Sequence, residues 1–158
     1  MFILRLVSRL RILIVLIASA IAACIGGCST PITPKDQAFQ GIQIAFENGQ
    51  LGGTIGDASD DWQPIADVCA EFPAAYPNPA SSSSTLNIRL CQQDNVRVWV
   101  ESAPGVNYQI VQRGVMQAGQ YTLTMDWSSA PAGIYRCYLE IERDGRTYRT
   151  YGDVKVEH

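Results

Sequence analysis

The chain has 158 residues, with 12 Lys and Arg against 15 Asp and Glu and a single histidine; 47% of it is hydrophobic. That composition allows one ordinary domain and excludes a disordered chain. Arg5, Arg9 and Arg11 occupy a start free of acids, which leaves 9 basic against 15 acidic residues elsewhere, a net of −6; such a domain repels phosphate backbones, so nucleic acid is not an expected partner.

Behind the basic start, residues 12–23 (ILIVLIASAIAA) form an apolar run of signal-peptide length. The uncharged stretch from Ile12 to Gly27 is sixteen residues, short of the ~20 that span a bilayer as a helix. Export with cleavage is therefore expected. The junction Ile21-Ala22-Ala23-Cys24-Ile25-Gly26-Gly27-Cys28-Ser29 resembles the lipobox of bacterial lipoproteins, in which a cysteine is lipidated and becomes the new N-terminus. Cys28 is the expected lipidation site and Cys24 the alternative. Each buried acyl CH₂ contributes about 0.8 kcal/mol, so two or three chains anchor a domain stably. The membrane, reached through these chains, is thus an expected partner.

Residues 28–40 (CSTPITPKDQAFQ) read as a tether, because Pro31 and Pro34 hold their neighbours extended. Residues 41–64 begin with an alternating run, Gly41 to Phe46, then Asn48-Gly49 and a second run to Ile55, the pattern of a β-hairpin. The glycines that follow form no phosphate-binding motif. Asp57, Asp60 and Asp61 are read as an acidic, solvated turn with local caps in preference to a Ca²⁺ loop, and no metal is expected.

From residue 65 to 158 the pattern is all-β. Leu86, Ile88 and Leu90 alternate with polar residues, as do Val96, Val98 and Val100, and Tyr121, Leu123 and Met125. Residues 134–143 and 146–156 are two longer runs joined at Asp144-Gly145, a type I′ hairpin signal. Strands near 65–70 and 108–113 bring the number to about seven, the pattern of an Ig-like Greek-key β-sandwich.

Tyr76-Pro77-Asn78-Pro79-Ala80, stepping through a Ser-rich stretch into Leu86-Asn87-Ile88-Arg89-Leu90, resembles the opening of bacterial Ig-like domains of the FlgD type. These occur in the flagellar hook-capping protein and, in related form, as C-terminal domains sorted by type IX secretion. Val96 to Val100, Gly105, Gly119 to Leu123, Asp126-Trp127 and Ala132-Gly133-Ile134-Tyr135 follow in the same order, so the resemblance covers about residues 72–156. It implies that Trp127 caps the core and Tyr135 braces a sandwich corner. The sequence departs from sorting domains in lacking a more basic final strand, and about forty residues between signal and domain are little cargo.

Outside the lipobox stand Cys69, Cys91 and Cys137, an odd number for an exported chain. Cys91, Trp99, Tyr135 and Cys137 echo the immunoglobulin arrangement, which makes Cys91–Cys137 the first candidate disulfide. Cys69 is the alternative partner for either, and three small apolar core residues are the competing account. Arg97 and Trp99 share one strand face, and Arg136 and Tyr138 another; together they are a candidate interaction surface if their strands share a sheet. The alternative is that the 41–55 hairpin covers them. No nucleophile–base couple or cofactor motif is found, so an enzyme is not expected. The leading reading is a non-enzymatic, lipid-anchored protein of the outer membrane, whose Ig-like domain serves structure or binds an envelope protein. The alternatives are a type IX-like sorting or attachment domain and a glycan- or small-ligand-binding sandwich.

Overall fold

The computed structural model describes residue 39 and residues 41–158. The signal peptide, all but residue 39 of the tether, and both lipidation candidates, Cys24 and Cys28, lie outside the described residues.

Strands β1 (Gly41–Ala45) and β2 (Leu51–Gly56) form the expected antiparallel hairpin. Its turn needs Gly49, which sits at φ +78°, and Asn48 supports it by accepting a hydrogen bond from the Gln50 N–H at 3.0 Å. The remaining strands are β3 (Ala70–Glu71), β4 (Ser83–Leu90), β5 (Asp94–Ala103), β6 (Val106–Met116), β7 (Gly119–Asp126), β8 (Gly133–Arg143) and β9 (Arg146–Val156). They make a three-stranded sheet, β3-β4-β7, and a four-stranded sheet, β6-β5-β8-β9, with antiparallel pairing throughout.

The alternation read from the sequence explains the packing. Leu86, Ile88 and Leu90 of β4 face Val96, Val98 and Val100 of β5 and Leu139 and Ile141 of β8 in one buried cluster between the sheets. Trp127 is buried and donates its indole N–H to Ser84 Oγ at 2.9 Å. The Tyr135 hydroxyl donates to the Pro131 carbonyl at 2.8 Å, bracing the corner ahead of β8. Asp144 at φ +51° and Gly145 at φ +71° close the β8–β9 hairpin, both in the left-handed region that a type I′ turn requires.

Two expectations change. The strand placed near 65–70 is instead a 3₁₀ turn, Ala66–Val68, followed by Cys69 in the left-handed conformation and only two residues of β3. Ile65 and Ala70 close this loop by exchanging backbone hydrogen bonds of 2.9 and 3.2 Å, which turns the chain back before a strand can extend. The turn also decides the disulfide. Cys69 bonds Cys91 across a Cα–Cα distance of 5.7 Å, so Cys91–Cys137 does not form. Cys91 lies in an exposed turn just past β4, whereas Cys137 points into the core with its Sγ 3.5 Å from Met125 Sδ. Burial pushes the Cys137 thiol pKa well up, and the nearby Asp153 and Asp61 add to the effect.

Candidate functional site

Strand β9 is bonded on both sides. One side pairs with β8 along its whole length. On the other side the preceding chain makes a discontinuous clamp. The Trp62 N–H donates to the Tyr151 carbonyl at 2.6 Å, and the Ala80 N–H to the Lys155 carbonyl at 2.8 Å. The Asp153 N–H donates to Asp61 Oδ2 at 3.3 Å. Asn78 is the centre of the clamp. Its Nδ2 donates to the Gln43 carbonyl (2.9 Å) and the Asp153 carbonyl (2.8 Å), and its Oδ1 accepts from the Lys155 N–H at 2.9 Å. Its backbone exchanges hydrogen bonds of 2.7 and 2.9 Å with Ala45. One buried amide thus joins the hairpin to the last strand, which gives the Tyr76–Ala80 motif its physical reason.

Asp61 departs from the solvated turn expected of it. Asp57 remains outside and caps Ser59, accepting from its hydroxyl at 2.8 Å, and Asp60 accepts from the Tyr151 hydroxyl. Asp61 is buried, and Asp61 Oδ1 has no hydrogen-bond partner among the described residues. Burial and the Asp153 carboxylate push its carboxyl up to about 7. The three carboxylates diverge, and no metal-binding group of His, Cys, Asp or Glu occurs among the described residues. Asp153 itself is held by Arg136 through two hydrogen bonds of 2.7 and 2.8 Å, both residues buried. Burial opposes the Arg136 charge, but Asp153 outweighs it and holds the guanidinium protonated. Asp61, Trp62, Pro73 and Tyr76, with Gln43 and Leu51 of the hairpin, line a cleft of about 550 Å³.

The candidate surface lies on the outer face of the four-stranded sheet, where β5 and β8 do run side by side. Trp99, Tyr138 and Arg136 are only 4%, 1% and 3% exposed, so the face is not an open aromatic platform. Trp99 stacks on Tyr138 with ring centroids 4.7 Å apart, and Tyr151 completes this second cluster. Arginines cover it. Arg97 lies 4.4 Å and Arg149 5.2 Å from the Trp99 ring centroid, and Arg136 lies 4.0 Å from the Tyr151 ring. The hairpin instead meets the sandwich at Asn78 and β9. Arg136 is therefore bound to the clamp while Arg97, Trp99 and Tyr138 stay together. They line a pocket of about 160 Å³ with Glu101, Asn107 and Arg149. Glu101 accepts the Trp99 indole N–H at 3.2 Å and the Gly105 N–H at 2.8 Å. Burial and the Glu101 charge push the Tyr138 phenol up to about 12.

The stretch that contributes Asn78, β4 to β8 and the start of β9 also decides what the chain is similar to. Residues 74–150 match the secretion system C-terminal sorting domain. The sorting-domain match takes in the Tyr76–Ala80 motif and the strands that carry Arg97, Trp99 and Tyr138, and it implies a protein exported and associated with the cell envelope. Asp61 and Trp62, which complete the clamp, precede the sorting-domain match. No curated protein and no solved structure matches the chain.

Proposed function

We propose that residues 65–158 act as a type IX-like sorting domain, a non-enzymatic module that directs the exported chain to the cell envelope. The family match over residues 74–150 carries this reading. The clamp supports it physically, because a folded sandwich with a bonded final strand offers a fixed surface to a secretion machinery. The test is the location of the full chain in a bacterium that carries type IX machinery, compared with a mutant lacking it. Protease access at the cell surface in the first and periplasmic retention in the second is the expected result. Equal location in both strains overturns the reading.

The lipobox-like junction favours a second layer: acylation at Cys28, or at Cys24, anchors the mature chain to the outer membrane, and the FlgD-type Ig-like domain then meets an envelope protein. The observation behind it is the order of basic start, apolar run, small residues and cysteine. The intact mass of the mature protein checks it, since an unmodified chain removes the anchor.

A further inference from the structure

The pocket beside Trp99 holds two hydrogen-bond donors that nothing satisfies. Arg97 Nε and the Tyr138 hydroxyl are both buried atoms without a hydrogen-bond partner by geometry among the described residues, and a buried donor left unpaired is destabilising. Arg136, held on Asp153 through Nε and Nη2, is close enough to donate to the Tyr138 oxygen and oppose the rise in its phenol pKa, but a guanidinium accepts nothing, so the phenol proton stays without an acceptor. The two unpaired groups line one pocket. The other charges around it are spoken for. Arg149 donates to Glu140 Oε2 from Nε at 3.0 Å, and Glu101 uses one oxygen for the Trp99 indole N–H and the other for the Gly105 N–H. Arg97 forms no ion pair among the described residues, although its guanidinium packs on the Trp99 ring. The site therefore has a cation outside any ion pair among the described residues, a phenol proton without an acceptor, and a neighbouring carboxylate, Glu101, whose two oxygens each already accept a hydrogen bond.

Donors without acceptors call for an anion. A guanidinium edge matches the two oxygens of a carboxylate, and a nearby hydroxyl adds a third donor. The size is also restrictive. The pocket is about 160 Å³, close to the ~150 Å³ cavity that accommodates one benzene, so only a group of a few heavy atoms enters. We propose that Arg97 and Tyr138, walled by Trp99 and Glu101, form a binding site for a single carboxylate group, either a small free acid or the acidic side chain of a partner. Glu101, in the same lining, disfavours a ligand with more than one negative charge, while Asn107 adds a neutral polar group.

The test is a titration of the ¹⁵N-labelled protein, following the Arg97 Nε–H and Trp99 indole N–H resonances. The probes are sodium acetate, an N-acetylated and C-amidated glutamate peptide, and sodium chloride at matched ionic strength. Saturable shifts with either carboxylate and none with chloride are expected, weakened at least tenfold in Arg97→Gln. A peptide at least tenfold tighter than acetate identifies a partner side chain, whereas acetate binding as tightly identifies a free acid, and both uphold the site. Shifts shared by chloride, or unchanged in Arg97→Gln, overturn it. Tyr138→Phe, which keeps the stacked ring, is expected to weaken binding several-fold with the fold intact by circular dichroism; undiminished binding there removes Tyr138 from the site. None of these readings depends on secretion.

Discussion

At Gly152 there is no room for a methyl group, since a Cβ would fall 2.1 Å from the Trp62 ring. The indole occupies the space a side chain would take on β9, and it is held there although Trp62 lies at φ +58°, a conformation that costs about 1–3 kcal/mol for a bulky residue. The contact with Phe72, at a centroid distance of 5.2 Å, and the backbone bond to Tyr151 offset that cost. Gly152→Ala is expected to expel the indole and lower stability by about 1–3 kcal/mol. Urea denaturation followed by tryptophan fluorescence measures it, and an unchanged midpoint shows that Trp62 does not depend on this space. Trp99 is covered in a different way, by arginine side chains stacked on its ring. Their guanidinium groups lie over the ring and shield its face.

The Asn78 side-chain amide joins the hairpin β1–β2 to β9, beside the backbone pair that Asn78 makes with Ala45. In Asn78→Ala the Gln43 and Asp153 carbonyls and the Lys155 N–H all lose their partner, and the expected loss is on the order of 3 kcal/mol. Hydrogen exchange is the sharper measurement: protection is expected to fall in β1 and at the end of β9 while β4 and β5 keep theirs, and uniform loss of protection contradicts a local clamp. The strands themselves were legible, because Leu86, Ile88 and Leu90 or Val96, Val98 and Val100 bury one dry face at period two. The turns at Asn48-Gly49 and Asp144-Gly145 were legible from residues that tolerate positive φ. Cys69 was not, since its position comes from a left-handed turn that no periodicity reports. Nor was the burial of Asp61, because a carboxylate in a polar stretch is ordinarily solvated and only the long-range Asp153 N–H draws it inward. Of the candidate surface, alternation pairs Arg97 with Trp99 and Arg136 with Tyr138, and only the β5–β8 pairing joins the two. The arginine cover of this surface was legible only in part, because beside Arg97 it takes Arg149 from a third strand.

For the molecule as a whole, Asp61 makes stability depend on pH. Its carboxyl pKa rises from 3.8 to about 7 on folding, so within that window the folded chain binds more protons than the unfolded one, and stability falls as pH increases. Stability from this group is complete below the unfolded value and is lost as pH passes through the folded one. Asp61→Asn is expected to flatten the decline, with a melting temperature near that of the wild type at pH 4 and above it at pH 8. Thermal melts across this range decide it, and parallel curves exclude Asp61 as the cause. The clamp on β9 also has a consequence in time. Its hydrogen bonds join residues 75 to 92 positions apart in the chain, as in Asn78 to Asp153 and Asp61 to Asp153. During synthesis, the bonds of residues 61–63 and 78–80 to the last strand therefore wait until β9 emerges, and closing such long loops is slow. The clamp is thus the last part of the domain that the chain can close, because each of its bonds to β9 waits for the final strand.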